Sequence, residues 1–266
     1  MMQATQRRWQ QGVGLALVIL LCVGALAALQ VPQLQRLLNK SQIATVEQIQ
    51  RDTQIEQTRL SLLKVLPPFG FNNLIADWAY LNFLQYFGDD VARQKTDYQL
   101  SADYFDVILS RDPYFLEAYT YASTSTALYA GQPERSVAAM QRGLQFLKPN
   151  VPPGSYYAWR QLGIDQLLFL GDAEAARQSF TTAAEWARAS TVPGSDTVAQ
   201  TSQQTVDFLT RNPTSKTAQV GAWTMVLSSA PDERTQKTAV SRIEALGGKV
   251  VKNPDGTYSI QAPLND

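Results

Sequence analysis

The chain has 266 residues, with 23 basic and 23 acidic side chains, no histidine and a single cysteine. A net charge near zero argues against a nucleic-acid surface. Without histidine there can be no Ser-His-Asp triad, Cys-His pair or histidine-based metal site. A single thiol cannot form an intrachain disulfide or supply the clustered thiolates of a zinc or iron–sulfur centre. Nucleotide-binding glycine motifs are also missing from the sequence. We therefore expect a binding protein without metal or cofactor, and not an enzyme.

The first predicted element is an apolar run, residues 12–30, which follows a tail of residues 1–11. As a helix it approaches the roughly 30 Å thickness of the bilayer interior. We interpret it as a single transmembrane anchor. Two alternatives stay open, namely a signal peptide cleaved near Ala25-Leu26-Ala27 and a buried helix of a soluble domain. The basic pair Arg7 and Arg8 favours a cytoplasmic N-terminus, with the main domain outside the cytoplasm or in a lumen.

Residues 31–66 predict a long connecting helix, because positions 33–66 contain neither proline nor glycine. No heptad register keeps apolar residues at both seam positions over three repeats, which favours a helix packed on the next domain over a stalk or coiled coil. The segment Leu66-Pro67-Pro68-Phe69-Gly70 ends this helix and marks a domain boundary.

Residues 70–190 carry amphipathic patterns arranged as helical pairs. The predicted pairs are 71–87 with 98–110, 114–129 with 134–147, and two helices within 155–189 joined at Gly171-Asp172. Each second helix places one large apolar residue between smaller ones, and these large residues are Phe105, Met140 and Phe180. In the last pair Ala176, Phe180 and Ala183 fall on one helical face, where small side chains allow the partner helix to approach.

The last pair also carries Trp159, Leu162 and Gly163 in its first helix and Gly171 in its turn. Together with Ala176, Phe180 and Ala183, these residues resemble the tetratricopeptide repeat (TPR). The alternative is a short helical hairpin of no repeat family. Relative to the TPR pattern Gly171 lies one residue further from Trp159, so the first helix or its turn holds an extra residue. The resemblance implies an all-α, TPR-like helical-hairpin solenoid.

The remaining segments complete the expected fold. Residues 191–246 predict further helices that could form a degenerate repeat. Residues 247–266 predict a small β-hairpin cap and tail, because alternating apolar and polar residues flank Asn253-Pro254-Asp255-Gly256. An isolated hairpin is marginal in water, so we expect it to pack on the last helices.

The resemblance also implies a function, because TPR-like proteins act as scaffolds that bind peptides on a concave face made by first helices. The general plan is similar to anchored TPR proteins that help assemble photosynthetic complexes in cyanobacterial membranes. We expect a membrane-anchored scaffold or assembly factor whose partners are other proteins. The candidate contact residues on the concave face are Asn73, Asp77, Thr120, Thr124, Gln161 and Asp165.

Three other functions stay open. The chain could be a permanent accessory subunit of a membrane complex, or a module that binds a small molecule. It could also be a carboxylate-based enzyme, which would hold Asp77 in a closed pocket.

Overall fold

The computed structural model describes residues 19–32, 34, 44–212, 216–228, 233–253 and 258–263. The chain divides into two compact units, Met1–Arg51 and Asp52–Asp266. In the first unit residues 19–32 are helical, whereas residues 12–18 of the predicted anchor lie outside the described residues. Among the helices that the structure describes, none combines the length and apolar character of a membrane span.

Helix α1, Val46–Val65, starts at a capping box and not inside a longer helix. The Thr45 side chain accepts a hydrogen bond from the Gln48 amide at 3.3 Å, and the Gln48 side chain accepts one from the Thr45 amide at 3.0 Å. This reciprocal pair satisfies backbone donors that a helix start leaves free. The expectation of one helix over residues 33–66 is therefore wrong, because the backbone at 44–45 is not helical.

The second unit is mostly helical and ends in a small antiparallel β-hairpin. Its elements after α1 are α2 (Asn72–Gly88), α3 (Asp90–Thr96), α4 (Ser101–Arg111), α5 (Leu116–Ala122), α6 (Pro133–Leu144), α7 (Tyr156–Asp165), α8 (Ala173–Arg188), α9 (Ser195–Arg211), α10 (Lys216–Ser228), α11 (Glu233–Ala245), β1 (Lys249–Lys252) and β2 (Tyr258–Gln261). Helix α3 lies between the predicted helices 71–87 and 98–110, where no helix was expected. It forms because the Asp89 side chain caps it, accepting from the Ala92 amide at 3.1 Å.

Successive helices pack as antiparallel pairs, α2 with α4, the α5 segment with α6, and α7 with α8, and α9 packs on α8. Neighbouring pairs are joined through contacts of α4 with α6 and of α5 with α7. The main core between them contains the fully buried Phe83, Phe105, Met140 and Leu162. Phe180, on α8, packs in an adjoining cluster with Ala176 and is also buried.

The first helices of two pairs, α5 and α7, continue as π-helix in their last turns. Ser123–Tyr129 continues α5 and Gln166–Leu170 continues α7. At the end of the second segment the amide of Gly171, which has a φ of +68°, bonds to the Gln166 carbonyl five residues earlier. A π-turn absorbs one residue more than an α-turn. The second π-segment therefore accounts for the extra residue between Trp159 and Gly171.

Gly163 marks a close approach of α7 and α8, which yields a pair of opposite predictions. A Cβ at Gly163 would lie 3.0 Å from two ring carbons of Phe180 and 3.3 Å from the Ala176 carbonyl, whereas a Cβ at Gly221 in α10 would meet nothing within 4 Å. We expect Gly163→Ala to destabilise the fold by about 1–2 kcal/mol, because overpacking outweighs the helix preference of alanine. Gly221→Ala should stabilise it by about 0.5–1 kcal/mol.

Urea unfolding of the two variants, followed by circular dichroism, measures both effects. A stabilising Gly163→Ala would show that α7 and α8 do not approach as closely as described.

The C-terminal helices and hairpin pack on the π-segment that follows α7. Val220, Trp223 and Leu227 of α10 join Leu168, from the π-segment after α7, in one apolar cluster. The cluster also takes in α11 through Ala239 and Ile243, and the hairpin packs on it through Val250, Tyr258 and Ile260. The hairpin thus packs on the last helices, with Lys249 opposite Gln261 in its register. Of its expected turn, Asn253-Pro254-Asp255-Gly256, residues 254–256 lie outside the described residues.

Candidate functional site

Helices α2, α5 and α7, each the first of a packed pair, form a common face. The Tyr80 ring of α2 lies 4.7 Å from the Phe115 ring and 5.8 Å from the Tyr121 ring of α5, measured between centroids. Burial raises the pKa of Tyr80 to about 12, assisted by Tyr121 and Glu117. Helix α5 in turn packs on α7. We call this surface of α2, α5 and α7 the first-helix face.

The structure separates the six predicted contact residues by depth. Asn73, Asp77 and Thr120 are exposed, and Thr124 and Gln161 are half-buried. The Thr124 hydroxyl donates back to the Thr120 carbonyl at 3.1 Å. Asp77 stands on the outer surface of α2, which differs from the closed pocket that a carboxylate-based enzyme requires.

A groove of about 280 Å³ runs between α5 and α7. It brings together two predicted residues, Thr120 and Gln161, with the neighbours Leu116, Glu117, Tyr157, Arg160 and Ile164. Sequence reasoning missed these neighbours, although Tyr157, Arg160 and Ile164 recur at helical spacing in the segment that carries the TPR-like pattern. The groove offers apolar walls with one acid and one base, a lining suited to a peptide side chain.

Asp165 lies below the first-helix face and not on it, which corrects its expected place among surface contacts. Its carboxylate is fully buried and accepts hydrogen bonds from the Ser123 hydroxyl at 2.5 Å and the Ser136 hydroxyl at 3.0 Å. Burial raises the pKa of Asp165 to about 6, although hydrogen bonds from Ser123, Ser136 and Gln161 act to lower it. This network connects the π-segment after α5 with α6 and α7 and fixes their spacing.

Gln161 connects the network to the groove. Its side-chain amide donates to the Ser123 hydroxyl at 2.8 Å, while Gln161 itself lines the groove beside Thr120. The buried Asp165 and Ser123 therefore hold a residue of the groove in place.

Charged side chains of α1, α4 and α6 form a second candidate surface, but these charges pair with one another. Lys64 and Arg135 each contact both Asp103 and Asp106 at 2.9–3.0 Å, and Arg142 also pairs with Asp106. Partial burial raises the pKa of Asp106, but hydrogen bonds from Lys64 and Arg135 outweigh that effect and hold the pKa below its usual value. Since these groups satisfy each other, this surface is a weaker candidate than the groove.

The part of the chain that the structure describes brings together no group of three or more acidic, cysteine or histidine side chains able to hold a metal ion.

Fold and site together define a mostly helical protein of packed helices with a small C-terminal β-hairpin and an open first-helix face. No protein-family model, curated protein or solved structure matches the chain.

Proposed function

We propose that this chain is a membrane-anchored, TPR-like scaffold or assembly factor that binds a segment of a partner protein on its first-helix face. The observation that carries the proposal is the groove between α5 and α7, in which Thr120 and Gln161 lie together. Open grooves between the first helices of stacked pairs are the surfaces on which helical-repeat proteins take extended or helical peptides.

The packing of the hairpins supports a TPR-like architecture. The small residues Ala176 and Ala183 are fully buried beside Phe180, and Gly163 lies against the Phe180 ring. Trp159 is half-buried and meets the Trp186 ring edge-on at 5.9 Å. These contacts are of the kind that the repeat pattern requires.

The membrane anchor rests on the uncharged run at residues 12–30 and on its basic flank, Arg7 and Arg8. In the proposed topology the N-terminus is cytoplasmic and the helical domain lies outside the cytoplasm or in a lumen. The partners are then subunits of a membrane complex, and nucleic acid is not among them.

Affinity purification from gently solubilised membranes tests the proposal. We expect Thr120→Arg to remove the co-purifying partners, because the new side chain fills the groove and places a second cation beside Arg160. The matched control is Thr201→Arg, at an exposed position of α9, which should retain the same partners. Mass spectrometry of the eluted proteins measures the difference.

The second candidate is a permanent accessory subunit held by its N-terminal segment. It is favoured if partners survive Thr120→Arg in stoichiometric amounts but are lost on deleting residues 1–66. If neither form brings down a specific protein, the scaffold proposal is wrong.

A further inference from the structure

The connection between α1 and α2 exposes large apolar side chains that the fold does not use. Val65 is 77% exposed, Phe69 80%, Phe71 63% and Leu74 64%. Residues 65–76 include no charged side chain. Connections between helices are normally polar, so this set of exposed apolar side chains indicates an interaction site. We call Val65, Leu66, Phe69, Phe71 and Leu74 the apolar tip.

The backbone of the apolar tip holds one aromatic residue in a strained conformation. Phe69 has a φ of +47°, in the left-handed region that bulky residues avoid, and Gly70 follows at +88°. The Phe69 side chain is mostly in solvent, so its burial contributes little to offset this strain. A strained and exposed aromatic side chain points to a role outside the folded chain itself.

The base of the apolar tip is fixed by Arg111 at the end of α4. Its guanidinium donates to the carbonyls of Leu63 at 2.5 Å and Leu66 at 2.7 Å. It also reaches the Asn72 side chain at 3.4 Å. The ends of α1, α2 and α4 are thereby tied together, which presents the exposed side chains on a fixed base.

Polar side chains limit how deeply the apolar tip can enter an apolar phase. The Arg59 guanidinium lies 5.5 Å from the centre of the Trp78 ring, so α1 and α2 run side by side at this level. The exposed Asp77 stands beside them. Asp77 is six residues beyond Phe71, or about 9 Å along a helix. Interfacial segments bury their apolar side to about 5–10 Å, and tryptophan favours the boundary with water.

We propose that the apolar tip inserts into the interfacial layer of a lipid bilayer, with Trp78, Arg59 and Asp77 at headgroup level. A lipid surface accommodates a projecting aromatic residue without shape complementarity, whereas a protein partner would need a matching cavity with a polar rim. The inference rests on the membrane association in the proposed function.

Site-specific fluorescence on the full chain in phosphatidylcholine–phosphatidylglycerol liposomes tests this insertion. The sole cysteine, Cys22, is replaced by serine, and an NBD probe is attached to Phe69→Cys or to the control Met225→Cys, which is 73% exposed on α10. A third sample carries the probe on native Cys22, which reports the anchor separately. We expect doxyl-labelled lipids to quench the residue-69 probe about twofold, because its depth matches the interfacial layer, and to leave the residue-225 probe unchanged.

Each other outcome overturns the inference in a distinguishable way. Quenching of the residue-69 probe by aqueous iodide alone places the apolar tip in water, and protection from both quenchers places it against a second copy of the chain. If the residue-22 probe is quenched by lipid and the residue-69 probe is not, the anchor stands and the insertion fails. If lipid quenches the residue-69 probe only, the insertion stands and the anchor is wrong.

Discussion

Replacing Trp223 with alanine is expected to lower the free energy of unfolding by about 3–5 kcal/mol, the cost of emptying a buried tryptophan site. Trp223 is 1% exposed, and its ring meets Phe169 edge-on at 5.1 Å. Its indole N–H donates to the carbonyl of Leu168, in the π-segment that follows α7, at 3.2 Å. The substitution removes both the packing and the donor, so a buried carbonyl also loses its partner.

Urea unfolding followed by circular dichroism measures this loss. The matched control is Met225→Ala, two residues further along α10 and 73% exposed, which should change the free energy of unfolding by less than about 0.5 kcal/mol. Equal and small effects of both substitutions would show that α10 does not pack on the α7 segment.

The second large effect is a dependence of stability on pH that Asp165 introduces. Its pKa is raised from an ordinary 3.8 to about 6, so the folded protein favours the neutral acid. The corresponding stabilisation is complete below about pH 4 and is lost as the pH rises through 6. By linkage this loss is on the order of 3 kcal/mol. Asp106, whose pKa is lowered, acts in the opposite direction, so the contribution of Asp165 must be measured as a difference.

Asp165→Asn supplies that difference. An amide cannot ionise, and the Ser123 and Ser136 hydroxyls can each rotate to donate or accept toward it. We expect the variant to gain about 3 kcal/mol relative to the wild type between pH 4 and pH 7.5. Asp77→Asn, the same change on the exposed surface of α2, is the control. If the free energies of unfolding of the wild type and Asp165→Asn changed in parallel with pH, Asp165 would not be a buried acid with a raised pKa.

Asp165 also shows what the sequence could not predict about the site, namely the depth at which a side chain lies. The repeat alignment named Thr120 and Gln161 as candidates on two first helices, and the structure brings both into one groove. It could not assign depth to Asp165, because a polar residue one turn after Gln161 has the same local pattern whether it faces solvent or a buried hydroxyl. Only the positions of Ser123 and Ser136, 42 and 29 residues away, decide that question.

The starts of the helices show the opposite case, because their capping residues are visible in the sequence and were not used in the prediction. Thr45 and Gln48 form a capping box that is visible in the sequence. The absence of glycine and proline over residues 33–66 outweighed it in our prediction of one long helix. The caps at Asp89 and Asp172 are equally local, each accepting a hydrogen bond from the amide three residues later.

The sequence by itself determined the mostly helical class, the pairing of helices over residues 70–190 and the small C-terminal β-hairpin. These follow from capping residues, turn glycines and apolar periodicity, all of which act within a few residues. The tertiary structure alone decided that α10 and α11 pack on the π-segment after α7, that Asp165 is buried, and that the apolar tip is exposed. These features depend on contacts between residues far apart in the chain, and local preferences carry no information about which distant surface a helix will bury.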